Sequence, residues 1–298
     1  MPDFKSRHAD VNGIRLHYAS SGQGKLIMFV HGFPEFWLGW EHQLIEFGRD
    51  HLAVAPDMRG YNLSDKPSNI GNYHVKDLIA DMRALAEYLG FEKFTMVGHD
   101  WGGGVAWSTA IRHPELLDKL IIINSPHPAV FARELLNNPD QQKASQYMLM
   151  LRSAEAERIL SENDYARLRG ILTYFGSKWQ MPEEKRLKYL KAWSQPGALT
   201  GSLNYYRASP LYPPASQNDV EQIESVLNLP KEMFEVKVPT LVIWGEEDQS
   251  LLTGNLDGLE EYVEDLTIKR IPDGTHWVVH EQPEQINALI REFISQVQ

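Results

Sequence analysis

The sequence predicts an α/β fold in which helices flank a mostly parallel sheet, with a helical insertion between two parts of that sheet. Short apolar runs alternate with helical patterns over the first 125 residues, as is typical of parallel strands buried on both faces. The strand pattern stops after residue 125 and returns near residue 240. We therefore expect a core domain, residues 1–125 and 237–298, and a helical cap domain, residues 126–236.

Each element is predicted from its local pattern. Apolar runs predict strands at residues 14–19, 26–30, 52–56, 94–97, 120–124, 240–244 and 266–271. Apolar residues at three- and four-residue intervals predict helices at residues 75–89, 102–112, 141–152, 154–162, 182–193 and 283–297. The proline-rich segment at residues 210–215 predicts a loop inside the cap.

Composition and charge narrow the classes of function. The net charge of −11 argues against a nucleic acid or an anionic membrane surface as partner. The chain has no cysteine, which excludes disulfides, thiolate metal sites and a cysteine nucleophile. The first residues are polar and no apolar run reaches the roughly 20 residues that a spanning helix needs. We therefore expect a soluble cytoplasmic protein.

The segment VGHDWGG, residues 97–103, has the pattern of a nucleophile elbow. A strand ends, Asp100 occupies the turn and a helix begins, while the three neighbouring glycines permit tight backbone approach. A carboxylate can attack a tetrahedral carbon that carries a strained or good leaving group, and the start of a helix favours its ionised form. Attack would leave an ester that must be hydrolysed. An N-cap role for Asp100 is the alternative, but it does not explain the glycines.

Hydrolysis of that ester needs a base, and the expected chain order is nucleophile, acid, histidine. His276 lies in the loop after the last predicted strand and is the candidate base. Asp248 lies in the loop after the preceding strand and would orient His276 and stabilise the imidazolium. Glu246 or Glu247 as the acid and His280 as the base remain alternatives.

The segment HGFP, residues 31–34, follows the strand at residues 26–30. Its loop is placed to offer the backbone N–H of Phe33. Together with the backbone N–H of Trp101, this group can form an oxyanion hole for hydrolysis of the Asp100 ester.

Five motifs, in order along nearly the whole chain, resemble those of the α/β-hydrolase-fold epoxide hydrolases. They are HGFPEFWLGW (31–40), DMRGYNLSDKP (57–67), GHDWGG (98–103), WGEEDQ (244–249) and DGTHW (273–277). The resemblance implies an α/β-hydrolase fold with a helical cap. It also implies an enzyme that converts a small epoxide to a vicinal diol through an ester of Asp100, without a metal or organic cofactor.

In that family, two cap tyrosines donate hydrogen bonds to the epoxide oxygen. Tyr206, within LNYYR, matches one of them, and Tyr147 matches the other, with Tyr165 and Tyr174 left as alternatives for the second. A phenol with a pKa of about 10 is neutral at pH 7 and can supply the proton that the opened epoxide needs.

The substrate is expected to bind between cap and core, in an aromatic pocket that includes Phe33, Trp37 and Trp101. A monomer or a homodimer is compatible with the sequence.

A haloalkane or haloacid dehalogenase would use the same three catalytic residues. Phe33 stands where one dehalogenase pattern has Asn, and His99 stands where haloalkane dehalogenases usually have Gln, so both favour an epoxide. The cap residues Trp179 and Trp193 leave halide binding open.

Two further classes are less favoured. A non-catalytic binding protein on this scaffold is disfavoured because no catalytic residue is missing. A serine esterase is disfavoured because the elbow holds no serine, and Asn124 and Ser125 are interpreted as ordinary loop residues.

Overall fold

An eight-stranded sheet runs through the computed structural model, which describes residues 4–173 and 177–296. The strands are β1 (Lys5–Val11), β2 (Ile14–Ser21), β3 (Leu26–Val30), β4 (Leu52–Pro56), β5 (Phe94–His99), β6 (Leu117–Ile123), β7 (Thr240–Gly245) and β8 (Leu266–Ile271). Their order is β1-β2-β4-β3-β5-β6-β7-β8. The pairs β1–β2 and β2–β4 are antiparallel and the other pairs are parallel. The predicted mostly parallel sheet is confirmed.

Helices surround this sheet. They are α1 (Glu41–Phe47), α2 (Val75–Tyr88), α3 (Trp101–Arg112), α4 (Pro128–Asn137), α5 (Pro139–Ala144), α6 (Tyr147–Arg152), α7 (Ala156–Thr173), α8 (Glu183–Trp193), α9 (Ala198–Ala208), α10 (Gln217–Leu227), α11 (Val278–Glu281) and α12 (Pro283–Ser295). Helices α4 to α10 all lie between β6 and β7 in sequence, where the helical insertion was predicted. Within the described ranges, none of these helices is both long and apolar enough to cross a membrane.

The predicted elements differ from the observed ones in a few places. Strand β1 was not predicted, because its residues are mostly polar and exposed, as suits a strand at the sheet edge. The helix predicted at residues 141–152 is two helices, α5 and α6, which are separated at Ser145 and Gln146. The helix predicted at residues 154–162 ends at a break within α7, where the backbone at residues 162–165 is non-helical, and a second helical segment follows to Thr173. The predicted helix end at residue 297 lies outside the described residues.

The core has one apolar cluster on each face of the sheet. On one face, β-strand residues such as Phe29 and Ile243 pack against α1 and α12. On the other face, residues such as Met28 and Val242 join α2, α3 and the helices of the insertion in a single cluster. The central strands are therefore buried on both sides, which explains their continuous apolar runs.

Helix α3 begins so close to the sheet that Gly98 and Gly102 have no room for a side chain. A Cβ atom on Gly102 would lie 2.0 Å from the carbonyl oxygen of Val30, and one on Gly98 would lie 2.4 Å from the carbonyl oxygen of Gly102. These contacts are with backbone atoms, which cannot rotate away. The glycines of the elbow are therefore required by the crossing of α3 over the strand ends.

We expect Gly102→Ala to destabilise the fold by about 2–3 kcal/mol, because the added methyl overlaps backbone of β3. Gly104→Ala in the same helix is the matched control, since its Cβ would meet nothing within 4 Å. Its greater helix propensity should leave stability unchanged or raise it by up to about 1 kcal/mol. Chemical denaturation of both variants measures the difference, and equal stabilities would contradict the close crossing.

Candidate active site

Asp100 occupies the turn between β5 and α3. Its backbone has φ 51° and ψ −124°, a region that non-glycine residues rarely adopt. The Ser125 hydroxyl, 2.7 Å away, and the Gly104 N–H, 3.1 Å away, both donate to the Asp100 carbonyl and hold this turn. A Cβ on Gly32 would lie 2.1 Å from Asp100 Oδ1, so the carboxylate packs directly against the loop after β3.

Two backbone N–H groups bind the Asp100 carboxylate. Phe33 N donates to Oδ1 over 2.7 Å, and Trp101 N also donates to this carboxylate. These are the two groups expected to form the oxyanion hole. They lie where they can bind the oxyanion that develops when an ester of Asp100 is attacked.

The imidazole of His276 lies between two carboxylates. Its Nδ1 donates to Asp248 Oδ2 over 2.7 Å, and its Nε2 is 3.7 Å from Asp100 Oδ2. Asp248 is buried and its Oδ1 accepts the backbone N–H groups of Ser250 and Leu251 at 2.8 and 2.9 Å. The structure therefore brings Asp100, His276 and Asp248 together, with the acid fixed by the backbone of its own loop.

The alternative acids and base lie elsewhere. Glu246 forms an ion pair with Arg270 at 3.0 Å, and Glu247 forms an exposed ion pair with Lys178 at 3.0 Å. His280 Nε2 lies 3.1 Å from a carboxylate oxygen of Glu35 and makes no contact with Asp248. Of the candidates, only Asp248 and His276 are within hydrogen-bond distance of one another.

Asn124 was interpreted as an ordinary loop residue, but it joins the ends of β6 and β7. Its Nδ2 donates to Asp248 Oδ2 over 2.8 Å, and its Oδ1 accepts the Gly245 N–H over 2.9 Å. It therefore binds the same oxygen that His276 binds. The available signal was a polar residue directly after a buried strand, at the edge where parallel strands end.

His99, next to Asp100 in sequence, holds the backbone of His276. Its Nε2 donates to the His276 carbonyl over 2.8 Å, and the two rings lie 4.7 Å apart. Burial, and then the charge of His276, hold the pKa of His99 well below its usual range. His99 is therefore neutral and acts as a hydrogen-bond donor.

Glu35 is a second residue that the sequence did not single out. It is buried, and it accepts the Tyr189 hydroxyl over 2.9 Å besides its contact with His280. Its charge is one of those that raise the pKa of His276. A buried carboxylate thus adds to the negative potential around the imidazole.

The charges of the site depend on one another. Burial raises the pKa of Asp100, and the charge of His276 and the N–H groups of Phe33 and Trp101 oppose that rise. Burial alone would lower the pKa of His276, but the charges of Asp248 and Asp100 outweigh it and raise the pKa to about 9. At neutral pH an imidazolium therefore faces the carboxylate of Asp100. Any loss of negative charge at Asp100 must lower the pKa of His276.

A cavity of about 940 Å³ lies between α3 and the helices of the insertion, and Asp100 lies in its wall. Trp101, Tyr147 and Tyr206 line the same cavity. The Tyr206 ring stands edge-on to those of Trp101 and Phe33, with centroids 5.2 and 5.4 Å apart. Burial, followed by the charge of Asp100, raises the pKa of both tyrosines, so both keep their protons.

The other tyrosines are placed differently. Tyr73 and Tyr205 also line the cavity, but their hydroxyls donate to backbone carbonyls at 2.8 and 2.9 Å. Tyr165 packs against Trp193, with ring centroids 6.1 Å apart, and does not line the cavity. Tyr174 lies outside the described residues.

Arg152 connects the helices that carry Tyr147 and Tyr206. It ends α6, which begins at Tyr147, and its Nη1 donates to the carbonyl of Tyr206 in α9. Its guanidinium also stacks on the Tyr212 ring, 3.7 Å from the centroid. One side chain therefore fixes the relative position of the two tyrosine-bearing helices.

Trp37 does not lie at the cavity, contrary to the expectation from sequence. It begins a short 3₁₀ turn and its ring packs against Phe4 and Phe36, with centroids 5.6 and 6.3 Å away. The ring of Phe33 contacts Tyr206 and lines a smaller neighbouring cavity. The aromatic wall beside Asp100 is thus built from Trp101 and the tyrosines.

In residues 4–173 and 177–296, no three histidine, aspartate or glutamate side chains come together in a group that could hold a metal ion.

The chain is similar to a known family and to several of its members. The family described as alpha/beta hydrolase fold matches residues 25–283. The chain is 38% identical to Epoxide hydrolase 4 of Mus musculus, over 96% of this chain and 77% of that protein. It is 37% identical to AB hydrolase superfamily protein YfhM of Bacillus subtilis, over 99% of both. A crystal structure of a variant epoxide hydrolase from Bacillus megaterium, complexed with its product (R)-3-[1]naphthyloxy-propane-1,2-diol, matches with a TM-score of 0.86 and 35% identity, over 97% of this chain and 100% of that one.

We expect Asp100→Asn to lower the pKa of His276 from about 9, because one of the carboxylates that stabilise the imidazolium is lost. Titration of the imidazole by NMR, with His276 identified from a His276→Gln spectrum, measures the shift. Glu246→Gln is the control, since that carboxylate pairs with Arg270 and should leave the titration unchanged. An unchanged midpoint in Asp100→Asn would contradict the coupling of the two groups.

Proposed function

The chain belongs to the alpha/beta hydrolase fold family, and from this membership we propose that it is an epoxide hydrolase acting through a covalent ester of Asp100. The observation that carries the mechanism is the placement of Asp100 Oδ2 3.7 Å from His276, in the wall of a cavity that also holds Tyr147 and Tyr206. A carboxylate nucleophile, a histidine base and two neutral phenols are the groups that opening an epoxide requires.

In the first step, Asp100 attacks a carbon of the epoxide ring. A bond forms between a carboxylate oxygen and that carbon, and the carbon–oxygen bond of the ring breaks. Tyr147 and Tyr206 donate hydrogen bonds to the ring oxygen, and one of them transfers its proton to it. The product is an ester of Asp100 with a neighbouring hydroxyl group.

Formation of the ester changes the charge beside His276. Asp100 is no longer anionic, so the pKa of His276 falls. The proton that the imidazolium then releases replaces the one that the tyrosine gave to the ring oxygen. The neutral imidazole is then a base that takes a proton from water. Before the ester forms, the imidazole is protonated and cannot do so. The base is therefore activated by the first step of the reaction.

In the second step, hydroxide formed at His276 attacks the ester carbonyl carbon. The N–H groups of Phe33 and Trp101 stabilise the oxyanion on the Asp100 carboxyl. The ester bond breaks and the leaving oxygen takes the proton from His276, which releases the diol. The carboxylic acid of Asp100 then transfers its proton to His276, and the initial ion pair is restored.

We propose that the helices between β6 and β7 form the cap domain, residues 126–236, over a core of residues 1–125 and 237–298.

The cavity volume of about 940 Å³ is near the upper end of ligand pockets. The product bound to the Bacillus megaterium enzyme is a naphthyloxy diol, which carries a bulky aryl group. We therefore propose aryl epoxides of similar size as substrates. A cytoplasmic location and a monomer or homodimer stay predictions.

The dehalogenase alternative gains no support from the cap tryptophans. The indole N–H of Trp193 donates to the Pro34 carbonyl over 2.7 Å, and Trp179 stacks on His280 with centroids 4.2 Å apart. Neither lines the cavity that holds Asp100. A halide leaving from that cavity would not meet either side chain.

We expect His276→Gln to accumulate the ester, because attack by Asp100 needs no base but hydrolysis does. Mixing the variant with 1-naphthyl glycidyl ether should add the mass of one substrate to the peptide that contains Asp100. Asp100→Ala is the negative control and should show neither adduct nor diol. Diol formation by Asp100→Ala, or no adduct in His276→Gln, would rule out the covalent mechanism. Bromide release from a dibromoalkane, without diol from the epoxide, would instead show a dehalogenase.

We expect Tyr147→Phe and Tyr206→Phe each to lower kcat by about 10- to 100-fold, because the other phenol still donates to the epoxide oxygen. The double variant should lose at least about a thousandfold. Single-turnover kinetics of ester formation measure these losses directly. Tyr165→Phe is the matched control and should react like the unmodified protein, since that ring packs against Trp193 outside the cavity. Full activity in the double variant would exclude both tyrosines as proton donors.

A further inference from the structure

A second chain of serine, histidine and aspartate lies on β1, β2 and the end of β4, and none of its members lines the cavity of Asp100. Ser6 Oγ is 2.8 Å from His17 Nε2, and His17 Nδ1 is 2.6 Å from Asp57 Oδ2. We propose that these three residues form a second nucleophilic site, in which the Ser6 hydroxyl is acylated by activated esters. This inference is independent of the proposed epoxide hydrolysis.

The acid of this group is firmly held. Asp57 is fully buried, and its Oδ1 accepts the Trp37 N–H over 3.0 Å. Its Oδ2 accepts the Asn62 side-chain N–H over 2.8 Å in addition to His17. These donors hold the carboxyl group in place, and its Oδ2 accepts the hydrogen bond from Nδ1 of His17. In the neutral imidazole, Nε2 is then the acceptor that a serine proton needs.

The serine of this group is an exposed residue, whereas its histidine is buried. Ser6 is exposed, and His17 is fully buried with the ring of His8 packed against it at 5.1 Å. Burial protects the hydrogen bond between His17 and Asp57 from competition with water. A substrate can therefore approach Oγ without displacing the groups that activate it.

Strand β1 also presents a backbone donor next to this hydroxyl. The hairpin joining β1 to β2 has the two-residue turn Asn12-Gly13, so Val11 and Ile14 exchange backbone hydrogen bonds. Counting from this pair, residue pairs that exchange backbone hydrogen bonds alternate with pairs that do not. Ser6, opposite Ala19, therefore belongs to a pair that does not exchange them. Its N–H points to the outer edge of the sheet. There it can bind the oxyanion formed when Oγ attacks a carbonyl.

The proposed step balances within these groups. Ser6 Oγ forms a bond to the carbonyl carbon of the ester, and its proton passes to His17 Nε2. The tetrahedral intermediate collapses, the bond to the phenolate breaks, the phenolate takes the proton from His17 Nε2, and an acyl-serine remains. Water then attacks the acyl-serine while His17 takes its proton, and this proton returns to Ser6 Oγ as the carboxylic acid leaves. With a fluorophosphate, the same attack at phosphorus displaces fluoride and leaves a stable adduct.

The first experiment uses diisopropyl fluorophosphate on the full chain, followed by peptide mass mapping. We expect one adduct on Ser6 and none in Ser6→Ala, while epoxide turnover is the same in both. Ser68 is exposed and has no hydrogen bond to a histidine among the described residues, so it is the internal control and should stay unmodified. No adduct on Ser6, or equal modification of Ser68, would overturn the proposal.

The second experiment exploits the absence of cysteine from the chain. Ser6→Cys and Ser68→Cys each introduce a single thiol, and alkylation by iodoacetamide at pH 6 compares them. Transfer of the thiol proton to His17 should make the Ser6→Cys variant react at least tenfold faster. Adding His17→Gln should remove this advantage in a protein that keeps its epoxide turnover. Equal rates for the two single variants would overturn the proposal, even if the His17→Gln protein did not fold.

Discussion

The burial of the Asp100 carboxylate is the constraint on which the arrangement of the site depends. A charge that leaves water must be compensated by hydrogen bonds or by an opposite charge. Here Phe33 N and Trp101 N supply hydrogen bonds, and His276 supplies the charge. These groups come from the ends of three different strands or from the loops after them. A parallel sheet brings such ends to one edge, which is why this fold can compensate the charge.

In the proposed covalent mechanism, the same compensation sets the order of the two steps. While Asp100 is ionised, it keeps His276 protonated together with Asp248, and a protonated imidazole cannot act as a base. The proposed formation of the ester would remove one of these charges and leave the hydrogen bond to Asp248 intact. The position of the ring is therefore preserved while its proton affinity falls. Asn124 and His99 matter for this reason, since they hold Asp248 and the backbone of His276 and add no charge.

Much of this could be predicted from the sequence, because burial and turn geometry leave local signals. The central parallel strands contain continuous apolar runs, and the glycines around Asp100 follow from the close crossing of α3. The direction in which a side chain points and the residues that it contacts leave no such signal in the sequence. Trp37 was expected in the pocket because its motif is aromatic, yet its ring points to Phe4. Glu35 was missed because a buried acid cannot be distinguished locally from an exposed one. Strand β1 was missed because an edge strand need not be apolar.

Two aspartate–histidine pairs in this chain share the same hydrogen bond but differ in the group that faces the other ring nitrogen. In both, a buried carboxylate binds Nδ1 at 2.6–2.7 Å and thereby fixes the ring. At His276, the group facing Nε2 is a second carboxylate, whose charge favours the imidazolium. At His17 it is the hydroxyl of Ser6, which brings no charge and offers a proton. In the proposed mechanism, the first ring can act as a base only after its carboxylate partner is esterified. In the proposed second site, no second carboxylate faces Nε2, so we expect reactivity to depend on how well the sheet edge binds an oxyanion.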